Sequence, residues 1–472
     1  MNIVNSKPLN ILIPLSLIAV LGIMTGYFIS LDNYLLMAAI PVLLLFGSFV
    51  YNQPKVLFLV FILLYGLDFS LLFINTSITG NEAGGRILLP DLFVIVFYFY
   101  FFMSIFLGKR RLNFDLPGKR YFIIFSIIWI VFFLSGLPIS EGLAIGEARW
   151  YIASVFMFAI PLMLNDEKDL KLIVNVFLMI AFVGALLTWL NVIGGGILFN
   201  QQASDNLTRL GLGGKTTQWI VNGILILFIN FRYNCIPKLN NLIGYALILF
   251  FMSAIILSGI RTAYLSICLL LLFYFLFIIK LKMRYVILLS LGFVALYFVV
   301  QYSPFQKVLK YQQDYFANIQ TSSTFLWRME IWKTVLSNSV ESWTRILFGR
   351  PMGLAMFYIP QFKISLDYSN THNDFLAIIG TIGWVGGIAF IIFLIANMKE
   401  IFRLSKSEDP KAAFYLEIVF FLMFSQILQS MANAEIRHYG LSILIWVHLG
   451  IFYAIKKNFL RNQRTNTALK HE

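Results

Sequence analysis

Apolar runs near 20 residues recur from one end of this chain to the other, and no other feature narrows its folding options so far. A helix of about 20 apolar residues crosses a hydrocarbon core of about 30 Å. Inside that core the backbone has no water to bond, so a crossing segment is a helix or part of a closed barrel. A barrel requires short strands of alternating polarity, and runs such as 242–257 do not alternate. The expected fold class is therefore an all-α polytopic membrane protein. Only 12% of the 472 residues are charged, about half the share in a soluble domain, so residues 1–472 read as one integral membrane domain.

Length and polarity predict about 14 spans, at roughly 9–29, 33–51, 56–75, 87–107, 121–137, 148–164, 172–193, 216–231, 242–258, 263–279, 285–303, 373–397, 413–430 and 439–455. Only Lys7 precedes the first span and no small-residue cleavage site follows it, which reads as an uncleaved first helix. The net charge of +14 would suggest nucleic acid in a soluble chain. Here the basic residues sit mostly in short loops, where topology accounts for them, and no nucleic-acid partner is expected. Lys109, Arg110, Arg111, Lys119 and Arg120 fall on one side of the span map, with Lys280, Lys282, Arg284, Lys399, Arg403, Lys406, Lys411 and the basic tail from Lys456 to Arg464. That side is expected to be cytoplasmic, with both termini. Cys235 and Cys268 form no metal or disulfide pattern.

One outer loop, about 304–372, far exceeds the usual helix connection of 2–8 residues. Within it Trp327, Ile331, Trp332, Val335 and Leu336 share one helical face, Glu330 and Lys333 lie elsewhere, and Arg328 edges the stripe. This predicts an amphipathic helix lying on the membrane or capping a cavity.

Charges at the outer ends of spans are costly near hydrocarbon and call for a role. Arg261 sits in a turn, Ser258 to Thr262, tight enough to make its flanking spans a hairpin. Either it snorkels to headgroups or its guanidinium offers a fixed fork for a phosphate. Arg209 to Thr217 is glycine-rich and ends with Lys215 at a span start, where free backbone N–H groups favour an anion. A flexible polar loop is the alternative there. Arg149 lies beside Trp150 at an outer span end, and Glu147, two residues away, does not face it on a helix. Of the histidines, His448 is expected to be packed and hydrogen-bonded in an apolar span, His438 lies at an outer span end, and His471 is in the tail. His372 closes the long loop just before a span and is followed by Asn373 and Asp374. Its ring can exchange a proton near neutral pH, although a histidine at a span end is more often structural. No cluster with metal-ligand spacing is visible on the outer side, and no cofactor is expected.

His372-Asn373, nine residues, then Gly383-Trp384-Val385-Gly386 resembles the His-Asn-x9-Gly-x-x-Gly signature of the O-antigen ligase and polymerase superfamily. Ser258 to Thr262 resembles that family's Ser-x-x-Arg hairpin, and Arg209 to Thr217 its Arg-x-Gly segment. Arg328-x3-Trp332 followed by Gly349-Arg350-Pro351-Met352-Gly353 is similar to its Arg…Trp…Gly-x-Gly stretch, departing in having Gly-x-x-x-Gly with Pro351 inside. The resemblance covers roughly 145–390. It implies a metal-independent, inverting glycosyltransferase of the C-type class in the bacterial inner membrane, with its site on the periplasmic side. The donor would be a glycan on undecaprenyl diphosphate and the acceptor a lipid-linked repeat unit or lipid A-core. His372 would take the acceptor's proton, with Glu147 and Glu330 as alternative bases. Arg261, Arg209, Lys215 and Arg149 would stabilise the leaving diphosphate. Arg328, Trp332, Asn373 and Asp374 would position loop or acceptor, and Trp327 and Trp332 are candidates to stack on sugars. Polymerisation is favoured over ligation because the Phe-, Ile- and Asn-rich usage resembles that of polymerases in polysaccharide clusters. A flippase for lipid-linked glycans is the alternative of a different class, although the sequence shows no related halves.

Overall fold

The computed structural model describes residues 53–66, 89–106, 115–139, 141–193, 201–202, 208–209, 214–236, 240–258, 260–278, 323–351, 356–359, 364–367, 372–431 and 439–469. Its helices follow the apolar runs. They are α1 (Pro54–Gly66), α2 (Leu89–Phe106), α3 (Lys119–Gly136), α4 (Glu141–Ile152), α5 (Val155–Met163) and α6 (Glu167–Ile193). A two-residue ladder, β1 (Gln201–Gln202) with β2 (Thr208–Arg209), precedes α7 (Gly214–Tyr233), α8 (Asn241–Ser258) and α9 (Arg261–Phe273), which runs on as a π-helix over Tyr274–Ile278. The long loop contributes α10 (Ser323–Ser339), α11 (Trp343–Phe348) and an antiparallel pair, β3 (Met356–Ile359) with β4 (Ile364–Asp367). Then come α12 (Asp374–Leu404), α13 (Pro410–Ser430) and α14 (Tyr439–Leu469).

Among the described residues five helices are long and apolar enough to cross a membrane: α3, α6, α8, α12 and α13. Three apolar helices are shorter: α1, α2 and α9 with its π extension. The protein is thus a helical membrane protein. The spans predicted at 9–29, 33–51 and 285–303 lie outside the described residues, as does most of the loop before Ser323.

The span predicted at 148–164 is two helices. At Ala153 and Ser154 the bonding tightens to i→i+3, with Ser154 N–H to Tyr151 O at 2.7 Å and Phe156 N–H to Ala153 O at 3.1 Å. Such a 3₁₀ turn re-aims the chain and leaves the apolar pattern intact. The span predicted at 373–397 continues to Leu404 and is bent at Gly383, whose φ of 77° and ψ of 173° are non-helical. Aromatic pairs bind α3 to α12, Phe122 to Phe393 at 5.0 Å and Phe125 to Phe390 at 4.9 Å between ring centres.

Charged pairs gather at one end of the bundle. Lys456 Nζ lies 2.9 Å from Asp115 and 3.3 Å from Glu400, Lys411 lies 2.9 Å from Glu167, and Lys55 lies 2.7 Å from Asp169. Asn397 donates to Pro117 O at 3.2 Å, and α12 turns into α13 at this same end. The start of α12 and the end of α13 are tied together at the opposite end, where Asn373 donates to Met431 O.

Candidate functional site

The chain enters α12 through His372, whose φ of 50° is left-handed. Few side chains adopt that region, and histidine is among those enriched there. The turn lets Asn373 sit extended as the N-cap, its Oδ1 accepting from Leu376 N–H at 3.1 Å. Its Nδ2 donates to Met431 O at 3.1 Å, so one amide caps α12 and ties it to the end of α13. Asp374, fully buried in the first turn, places its carboxyl where the helix dipole favours negative charge. The His372 ring meets Trp327 of α10 edge to face, 5.3 Å between centres. Trp327 and Trp332 flank buried Ile331 and Val335, and all four pack with Leu376 of α12. Four residues of the predicted apolar stripe of α10 therefore hold this helix over the start of α12, whereas the fifth, Leu336, is exposed. Arg328 is half-buried on the same helix.

A second tie lies two turns into α12. Arg350 N–H donates to Thr381 O at 2.8 Å, and Trp384 Nε1 donates to Ser339 Oγ at 3.2 Å. Gly349, with φ of 73° and ψ of −141°, lies directly against the Gly383 bend. A Cβ on Gly383 would fall 2.7 Å from Gly349 N, and a Cβ on Gly349 would overlap Thr381 O. The two glycine signatures of the sequence are one contact. Met352 and Gly353 lie outside the described residues.

The cationic candidates sit at element ends, Arg261 and Lys215 at helix starts, Arg149 in a last turn and Arg209 closing a strand. Arg261 opens α9 after Ile260, and Tyr264 Oη donates back to Ile256 O at 2.6 Å, pinning the turn. The helices on either side of it share α7 but differ in their other neighbour, α6 for α8 and α13 for α9. Arg209 pairs with Gln201 in the β1–β2 ladder, and Lys215 is the second residue of α7. Arg149 is largely shielded from solvent. Its Nε lies 3.5 Å from Asp91 Oδ2 of α2, with both side chains largely buried. Sequence reading missed Asp91, although a carboxylate at the head of an apolar run was visible.

Reading the sequence also missed a buried polar seam. Gln218 and Asn222 of α7 face Ser425 of α13, and Gln426, Gln429 and Ser430 are buried beside it. The signal was there as polar pairs four apart within apolar spans, Gln218 with Asn222 and Ser425 with Gln429. Among the described residues, Gln218 Oε1, Asn222 Nδ2 and Thr217 Oγ1 have no hydrogen-bond partner. Each such buried group costs about 1–3 kcal/mol, against about 0.6 kcal/mol gained by an average bond between membrane helices. His448, expected to be hydrogen-bonded, has a partner at neither ring nitrogen among the described residues and is packed edge to face on Phe177 at 6.2 Å.

Residues 245–391 match the family model described as O-antigen ligase. The segment opens within α8 and closes within α12, so it takes in Arg261, α10, α11, His372 and both glycines, and leaves out Arg149, Arg209 and Lys215. No curated protein matches the chain.

Proposed function

We propose, starting from an O-antigen ligase/polymerase domain over residues 245–391, that this membrane protein transfers a glycan from undecaprenyl diphosphate to a sugar hydroxyl on the periplasmic face, joining polysaccharide repeat units. The observation that carries the reading is the setting of His372. Its ring is held by a left-handed turn against Trp327, one residue before a capped helix whose first turn buries Asp374. An imidazole fixed in this way suits a proton acceptor, which must be aimed before it is useful.

In the proposed step the acceptor oxygen attacks the anomeric carbon from the side opposite the diphosphate, and the configuration inverts. The acceptor's O–H proton passes to a ring nitrogen of His372. The bond between the anomeric carbon and the phosphate oxygen breaks, and its electron pair leaves with undecaprenyl diphosphate. Arg261, Arg209, Lys215 and Arg149 supply positive charge to that leaving group without a metal. The Asp91 contact supports this for Arg149, because it pre-orients the guanidinium. Arg328, Trp332, Asn373 and Asp374 hold the loop and acceptor in place, and no cofactor takes part.

The test uses purified protein in lipid discs, a lipid-diphosphate-linked glycan, and chelator. New glycosidic bonds and released undecaprenyl diphosphate are expected. His372→Ala and His372→Gln should each lose roughly 10²–10⁴-fold in turnover, whereas His438→Ala should stay near wild type. Movement of the glycan across the bilayer without bond formation would establish a flippase instead. Transfer to lipid A-core alone would make the protein a ligase, and an absolute need for divalent metal would overturn the metal-free step.

A further inference from the structure

We infer that the polar seam between α7 and α13 is a positioning device, fixing the start of α7 with Lys215 relative to the start of α12 with His372. The inference rests on the function proposed above. Gln218, one turn after Lys215, donates through Nε2 to Ser425 Oγ at 3.2 Å and to Asn222 Oδ1 at 3.3 Å. Gln429, one turn further along α13, donates to the same Ser425 hydroxyl at 3.4 Å. Ser430 donates to Gln426 O at 2.8 Å, and the next residue, Met431, accepts from Asn373 at 3.1 Å. The path ends at the residue beside His372. The last turns of α13 thus bridge two helix starts that lie far apart in sequence.

Burial argues that the seam does not exist for stability. Gln218, Asn222 and Ser425 are fully shielded and Gln429 nearly so, yet among the described residues polar atoms of Gln218, Asn222 and Thr217 find no partner. Apolar side chains of the same size would carry no such penalty. What a donor–acceptor seam supplies is a single register, because sliding α7 along α13 breaks its bonds whereas apolar ridges tolerate small shifts. Transfer needs that register. A cation and a base acting on opposite ends of one reacting centre must be held a set distance apart.

Ser425→Ala and Gln218→Met remove the bridge, and Ser425→Thr keeps the hydroxyl. Turnover should fall roughly ten- to hundred-fold in each of the first two, with the donor KM changed by less than about two-fold. The double variant should be no slower than the slower single, and Ser425→Thr should recover most of the rate. A distance measurement needs no activity. In a background with Cys235 and Cys268 replaced by serine, nitroxide labels on Gly214→Cys, the first residue of α7, and Phe375→Cys should give one narrow distribution. Ser425→Ala should broaden it and Ser425→Thr restore it. If Gln218→Met does not fold, Ser425→Ala with this readout decides alone. Unchanged distances in Ser425→Ala, or a lost rate that Ser425→Thr does not recover, overturn the inference. If distances broaden in a protein that forms no glycosidic bonds, the functional reading fails and the mechanical link stands.

Discussion

Gly383 and Gly349 carry backbone angles open to glycine alone, and each excludes a side chain on the other. Gly383→Ala should therefore destabilise the protein by roughly 2–5 kcal/mol, combining backbone strain with overpacking. Loss of the cooperative melt of the purified protein in detergent measures this, and an unchanged melting temperature would contradict the contact. Both glycines were visible in the sequence as signatures, but the reason for them was not, since each makes sense only beside the other. Asp91 poses the same problem. Its partner Arg149 lies in another helix, and no local spacing connects them. Asp91→Asn should lower stability by about 1–3 kcal/mol and raise the donor KM, and Asp91→Glu should lose less of both. Equal melting and kinetics in all three proteins would remove Arg149 from the site.

At the scale of elements, α10 has two apolar faces where the sequence displayed one. Ile331 and Val335 face α12, whereas Leu326, Met329 and Leu336 are exposed, and just past the helix exposed Val340 leads on to Trp343 of α11, 78% exposed. Phe348 of α11 stacks on Phe132 of α3, whose outward Ile127, Ile130 and Leu134 belong to a membrane-spanning surface. We propose that the exposed side of α10 and α11 continues that surface, so that this helix pair both caps α12 and faces lipid. A polarity-sensitive dye on Trp343→Cys should shift to the blue when the protein passes from detergent into anionic or neutral bilayers. The same dye on Lys333→Cys should shift little, and equal shifts would sink the two-faced reading. The apolar runs of α3, α6, α8 and α13 were legible because burial in lipid leaves length and composition as the only signals required. The α4–α5 break was not, because a 3₁₀ turn between apolar residues changes geometry without changing pattern. Nor was the solitary packing of His448, for no sequence shows whether a buried ring will find a partner.

For the whole molecule, the predicted basic ends of α3, α12, α13 and α14 meet at one end of the bundle, and the His372 turn lies at the other. Lys333→Cys should react with an impermeant thiol reagent on intact spheroplasts, and Lys406→Cys should react only after lysis. The reverse result would invert the map and remove the periplasmic site with it. The touching glycines also close a ring of chain that contains β3, β4 and His372. A ring closed at its neck isolates its far side. Closing a longer one costs only about 0.6 kcal/mol for each doubling of length, so the β3–β4 turn can grow or be exchanged while His372 stays put. Relatives that join different sugars would then differ in the far arc of this ring and agree at its clasp.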